Sequence, residues 1–133
     1  MKLIKIYLVL ILSSALLIAG NSTKTEKQYE IQVDIFKGKT ATVNSYIISN
    51  GKSVVVIDVQ RATAEAKKLA TVIKSKNLPL THILITHGHP DHYIGIDWLH
   101  KEFPEAKIVV ASKNIKQDII NFSEWMEKNR MAG

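Results

Sequence analysis

The first alternation of apolar and polar positions falls at Tyr29 to Phe36, where Ile31, Val33 and Ile35 alternate with Gln32 and Asp34. That period of two predicts a half-buried strand. Gly38 marks a turn, and Thr42 to Ser49 reads as a second strand. Asn50-Gly51 then supplies the residues that close a hairpin onto a third strand, Val54 to Val59, apolar except for Asp58. An antiparallel meander is the expectation for this part of the chain. From Thr63 the spacing lengthens. Ala66, Leu69, Ala70 and Ile73 share one helical face, with Thr63 placed to cap the helix, Glu65 in its first turn, and Asn77 and Pro79 to end it. Ile83 to Thr86 is a short buried strand, and Ile96, Leu99 and Phe103 mark a helix ended by Pro104. Lys107 to Ala111 is a further strand, and Ser112 opens a helix carrying Ile115, Ile119 and Phe122. Strands first, then helix alternating with strand, predict an α/β fold: a mixed sheet with helices on one face.

The start of the chain follows another logic. Lys2 and Lys5 precede an apolar run from Ile6 to Ala19, the shape of a secretory signal. Residues 1–22 are therefore read as a signal peptide or an N-terminal anchor. Cleavage is expected near Gly20 to Ser22, and the apolar run is short for a membrane span. Leu17 to Gly20 resembles a lipoprotein signal, but Asn21 stands where the lipidated cysteine would be, which excludes lipid attachment there. The expected location is secreted or periplasmic, with the membrane touched only through this segment.

Composition narrows the chemistry. The 133 residues, 46% hydrophobic and 23% charged, suit one ordinary globular domain. With no cysteine, disulfide frameworks, zinc ribbons and thiol nucleophiles are excluded, so any metal must sit on His, Asp or Glu. Removing the leader takes away two lysines and no acid, so the net charge of +6 falls to +4. The remaining lysines are scattered without interleaved aromatics, which argues for a solvated surface and against a nucleic-acid partner. Lys67 and Lys68 fit the wet face of their helix.

Directly after the Ile83 to Thr86 strand come His87, Gly88, His89, Pro90, Asp91 and His92, four metal-capable side chains in six residues. A buried strand delivers this loop rigidly to the sheet edge, and the two-residue spacing of His87, His89 and Asp91 lets a tightly turned backbone aim them at one point. Gly88 allows close approach of the backbone, and Pro90 fixes its direction. Imidazole and carboxylate donors suit zinc, with iron or manganese open. A metal there would lower the pKa of a coordinated water to about 7.

The segment THGHPDH, preceded by Ile83-Leu84-Ile85 and followed by Tyr93-Ile94-Gly95, resembles the signature loop of the metallo-β-lactamase-fold hydrolase superfamily. The strands Val43 to Ile48 and Val54 to Asp58 and the helix before the loop also stand where that family has them, so the resemblance runs from Tyr29 to about Asp118. It implies half of an αββα sandwich over residues 23–133 and a metal-dependent hydrolase acting through metal-activated water. It further implies His87 and His89 on a first metal and Asp91 and His92 on a second. Asp91 would also act in catalysis by orienting the attacking water, and Asp58 would support the ligand loop from behind. Asp58 read alone is equally a turn or cap residue. Family members draw a further histidine, a bridging aspartate and a last histidine from a second αβ half, and residues up to Gly133 do not supply them.

Three readings of function follow. One is a hydrolase of a small molecule: an ester, thioester, lactone, lactam, or phospho- or sulfo-ester. Another is a catalytically incompetent fragment or pseudoenzyme, prone to self-association through an exposed sheet face. The third is an iron-dependent redox member of the same fold. His82 leaves its strand on the side opposite His87, and His100 lies about two helical turns beyond His92, so both are expected to be surface histidines. Trp98, Trp125, Met126 and Phe122 are expected in a core or interface rather than a substrate box.

Overall fold

The structure, a computed structural model, describes residues 30–131. The expected signal or anchor over 1–22 lies outside the described residues, as does Tyr29. Among those described, no helix is long and apolar enough to cross a membrane. Nine elements follow in the order β1 (Gln32–Lys37), β2 (Asn44–Ser49), β3 (Val54–Ile57), α1 (Thr63–Ser75), β4 (Leu80–Ile85), α2 (Pro90–Tyr93), α3 (Ile96–Glu102), β5 (Lys107–Val110) and α4 (Lys113–Met131). The sheet runs β1-β2-β3-β4-β5. Its first two pairings are antiparallel and its last two parallel. Turn chemistry explains the change. Asn50 Oδ1 accepts from the backbone N–H of Lys52 (3.0 Å) and Ser53 (2.9 Å) and Gly51 takes φ 75°, closing a tight hairpin. The β3 to β4 connection carries a helix instead, as a parallel pair requires.

One face of the sheet holds the core. Ile47, Val54, Val56, Ile83 and Ile85 pack with Leu69, Ala70 and Ile73 of α1 and Leu99 of α3. Full burial of a side chain such as Leu69 is worth about 1.5–3 kcal/mol relative to exposure. Among the described residues, nothing covers the other face. Ile35, Tyr46, Ile57, Leu84 and Val109 stand opposite one another across all five strands, an unbroken apolar row. Beside it run Val33, Ile48, Val55, His82 and Lys107.

Several expectations are corrected. Ile31, Val33 and Ile35 were expected to face a core, yet they are 67%, 56% and 53% exposed, and Asp34 and Phe36 are the less exposed residues of β1. Alternation reports which residues share a face and does not report which face is covered. The third strand ends at Ile57, because Asp58 and Gln60 adopt φ 57° and 74° and turn the chain out of the sheet. Helix α1 has Ala62 at its N-cap with no side-chain cap, so Thr63 does not cap it. Glu65, expected in the first helical turn, is buried there and accepts hydrogen bonds from the backbone N–H groups of Lys39 and Thr40. These bonds tie the β1–β2 loop to the helix, and the Lys39 N–H is the main reason the Glu65 carboxyl lies below its ordinary pKa. Burial opposes the shift, while Thr40 and the charge of Lys68 add to it. The fully buried Gln60 holds the same loop through its Nε2, which donates to Ser45 Oγ (2.7 Å) and the Val43 carbonyl (3.3 Å).

Candidate metal-binding site

The loop His87–His92 leaves the carboxyl end of β4, with the turn after β3 on one side and α4 on the other. Hydrogen bonding from β3 to β4 continues past the strands, since Asp58 N donates to the Leu84 carbonyl at 2.8 Å. Val59 N donates to the His92 carbonyl (2.8 Å) and Gly95 N to the Gln60 carbonyl (2.9 Å), so the Asp58–Gln60 turn clamps the segment that follows the loop. A Cβ on Gly95 would lie 2.3 Å from the Val59 carbonyl oxygen, which makes glycine necessary at that crossing. Gly88 permits the approach of α4, because a Cβ there would meet Asp118 Cβ at 2.9 Å.

The two-residue spacing expected for the ligand loop holds only for its first part. His87 to His89 form a bend, whereas Asp91 and His92 lie on α2, a single helical turn with Pro90 at its start. The turn reverses the chain, and the imidazoles still come together. The ring centroids of His87 and His89 are 4.6 Å apart, and those of His87 and His92 are 4.0 Å apart. His92 Nε2 lies 3.8 Å from Asp91 Oδ2.

Behind the loop stands Asp58, only 4% exposed, at a left-handed turn that aspartate tolerates better than most residues. Its Oδ1 accepts the backbone N–H of Thr86 at 2.9 Å. Its Oδ2 receives the Thr86 hydroxyl at 2.8 Å and His92 Nδ1 at 2.7 Å. A carboxylate can only accept, so both partners of Oδ2 donate to it. The Thr86 hydroxyl, its proton committed to Asp58, accepts in turn from His87 Nδ1 at 2.9 Å. Nδ1 of two of the three imidazoles is thus engaged behind the loop, which leaves Nε2 as the ring nitrogen available to a ligand.

This donor set suits a divalent cation in chemical type: three imidazoles and a carboxylate on one loop, two of the rings with a free Nε2. Among the described residues, however, no group of three or more His, Asp or Glu side chains stands in position to hold an ion together. The remaining histidines are elsewhere. His82 is half-buried between Val55 and Lys107 on the uncovered sheet face, its Nδ1 3.0 Å from Thr81 Oγ1. His100, expected at the surface, is half-buried, and its Nδ1 is buried without a hydrogen-bond partner.

The sequence reading missed the groove beside the loop. It has a volume of about 540 Å³, and Ile115, Asp118, Phe122 and Trp125 of α4 wall it against His87 and His89. Trp125 is 59% exposed, so it joins no core. A sequence signal existed in the spacing of Ile115, Phe122 and Trp125 along one helical face, but nothing in the sequence says that α4 passes the loop.

The family model described as the metallo-beta-lactamase superfamily matches residues 38–115. An uncharacterized protein of Bacillus subtilis is 32% identical over 72 residues, covering 54% of this chain and 30% of that protein. A protein of Streptococcus pyogenes named a probable metallo-hydrolase is 31% identical over 87 residues, covering 64% of this chain and 36% of its own. Among solved structures, a metallo-beta-lactamase from Hirschia baltica superposes with a TM-score of 0.55 at 20% identity, covering 68% of this chain and 48% of that one. The chain therefore spans about a third of the length of those two relatives and about half of the solved structure.

Proposed function

The chain belongs to the metallo-beta-lactamase superfamily, and from that premise we propose that it carries the ligand loop of a metal-dependent hydrolase. His87, His89, Asp91 and His92 would hold the metal, with zinc the first candidate and iron or manganese open. The observation that carries this reading is the Asp58 hub, which engages His92 directly and His87 through Thr86, and so leaves Nε2 free on both rings. A carboxylate buried behind a histidine pair to set its tautomer is the usual companion of metal-ligating imidazoles. When bound, the ion would supply Lewis acidity and water activated at neutral pH.

The residues themselves do the rest. Asp58 holds the rings of His87 and His92 in one tautomer, and the Val59 and Gly95 backbone bonds keep α2 in register with β3. Asp91, one-third exposed and next to His92 Nε2, would orient the attacking water and accept a proton from it. The substrate would be a small molecule with an electrophilic carbonyl, phosphoryl or sulfuryl centre. We also propose an exported location, on the strength of Lys2, Lys5 and the apolar run that follows. Intact-mass measurement of the product from a bacterial host tests this, and a full-length cytosolic product would refute it.

The absence of three converged donors among the described residues favours a companion reading, in which the 133-residue chain binds metal weakly and turns over little. Zinc stoichiometry and hydrolysis of a panel of lactams, lactones, thioesters and phosphoesters distinguish the two. Metal-dependent turnover that is abolished in His89→Ala supports the hydrolase. Zinc bound weakly and lost in the same variant, without turnover, supports the companion reading. Metal content that His89→Ala does not change rejects both.

A further inference from the structure

Helix α4 turns one face toward the ligand loop, and that face is mixed in character. Asp118, Phe122 and Trp125 follow one another at spacings of four and three residues, so their side chains leave the helix on one side. They wall the groove of about 540 Å³ whose other wall is His87 and His89, a size that suits a small molecule. The approach is close, since a Cβ on Gly88 would lie 2.9 Å from Asp118 Cβ. The Trp125 indole is 59% exposed and lies beside Phe122, with ring centroids 5.6 Å apart and planes 33° from parallel. An open aromatic pair beside a carboxylate is a surface of negative potential, because a ring face carries the negative part of its quadrupole.

No cationic side chain among the described residues pairs with that surface. Asp34 and Glu102 are held by Lys76 and Lys74, whereas the Asp118 carboxylate forms no ion pair or hydrogen bond among the described residues. Lys113 and Lys116 precede it by five and two residues and so project from other sides of the helix. Asn121, the other polar side chain on this wall, has its Oδ1 occupied by Gln117 Nε2 at 2.8 Å. The other tryptophan makes the contrast. Trp98 has Lys67 Nζ over its ring, 5.7 Å from the centroid, while no cation among the described residues lies over Trp125.

We propose that the groove between α4 and the ligand loop is a subsite for an alkylammonium group, seated on Trp125 and Phe122 with Asp118 as its counter-charge. The inference rests on the hydrolase reading for the reacting end only, since the subsite can be tested without metal or turnover. It narrows the substrate to carbonyl compounds that carry an ammonium group near the scissile bond. Phospho- and sulfo-esters are disfavoured, because Asp118 would repel their negative charge.

Choline and its uncharged isostere 3,3-dimethylbutan-1-ol serve as probes, titrated by calorimetry into the whole chain with metal removed by a chelator. Choline should bind about tenfold more tightly, the order expected of a cation–π contact joined to a charge pair. Its affinity should fall as salt is added. Asp118→Asn keeps the size of an exposed side chain and should weaken choline about fivefold without changing the isostere. Trp125→Ala should weaken choline about tenfold, with circular dichroism to check the fold. In the parent, choline should shift the indole N–H resonance of Trp125 and leave that of Trp98 in place. Equal affinity for the two probes, absence of saturable binding, or choline affinity unchanged in Asp118→Asn would overturn the subsite. Zinc content of Asp118→Asn should match the parent, and its loss would make the carboxylate a metal donor and overturn the proposal as well. A second assay separates this inference from the hydrolase reading, using acetylthiocholine and S-(3,3-dimethylbutyl) thioacetate with zinc present. Each consumes one water as its carbonyl C–S bond breaks, yielding acetate and a thiol. Equal KM for the two thioesters overturns the subsite while leaving the reaction. Choline binding that depends on Asp118, with neither thioester cleaved, upholds the subsite and removes the reaction.

Discussion

Replacing Asp58 with Asn keeps the size of the side chain and changes what it can receive. The amide retains one acceptor in place of a carboxylate that takes three bonds, so Thr86 and His92 compete for it. Asp58→Asn should lower metal affinity about 10- to 100-fold, read by competition with a chromogenic chelator. Glu65 makes a prediction in pH. Its folded pKa is depressed from the ordinary 4.5, so the stability it contributes is fully present above that value and is lost as pH falls through the lower, folded one. Glu65→Gln should therefore be less stable than the parent at neutral pH by about 1 kcal/mol. It should also show a flatter decline on acidification below about pH 5, measured by urea titrations at each pH. Gly95→Ala should cost about 1–3 kcal/mol or more by thermal denaturation, because its methyl would meet the backbone carbonyls of Val59 and Gln60 and the Ala66 methyl, none of which can swing aside.

Among the elements, α1 is the one most fully legible in the sequence. Its buried apolar residues Ala66, Leu69, Ala70 and Ile73 are those the helical period selects. Leu69→Ala should accordingly cost about 2–5 kcal/mol by denaturant titration. The clustering of His87, His89 and His92 was legible for a different reason, since the density of metal-capable residues after a strand does not depend on knowing the tertiary structure. Three things were not legible. The side of β1 that is covered depends on what packs against the sheet, which its own alternation does not encode. The turn at Asp58 to Gln60 depends on positive φ at non-glycine residues, which the apolar run Val54 to Ile57 does not announce. The contact of α4 with Gly88 is a meeting of segments thirty residues apart, and only the close approach of Asp118 reveals it. Asp58 itself had two open readings in the sequence, and the structure shows a single carboxylate in a turn that also reaches the loop.

At the scale of the molecule, the sheet face that the described residues leave open carries a prediction about behaviour in solution. The row from Ile35 to Val109 is the kind of contiguous apolar surface that draws molecules together. Ile35→Lys, at a residue 53% exposed, should change stability little and raise the concentration at which the chain stays monodisperse, as followed by light scattering. The same architecture also dictates an order of assembly. Asp58 and Thr86 are 28 residues apart and meet only after the β3–α1–β4 crossover has closed, and then the Thr86 N–H donates a hydrogen bond to the Asp58 carboxylate. That single proton is a built-in clock for the site. In a pulse-labelled refolding experiment it should resist deuterium from the moment the crossover closes, and it should do so whether or not the β1 edge has yet joined the sheet.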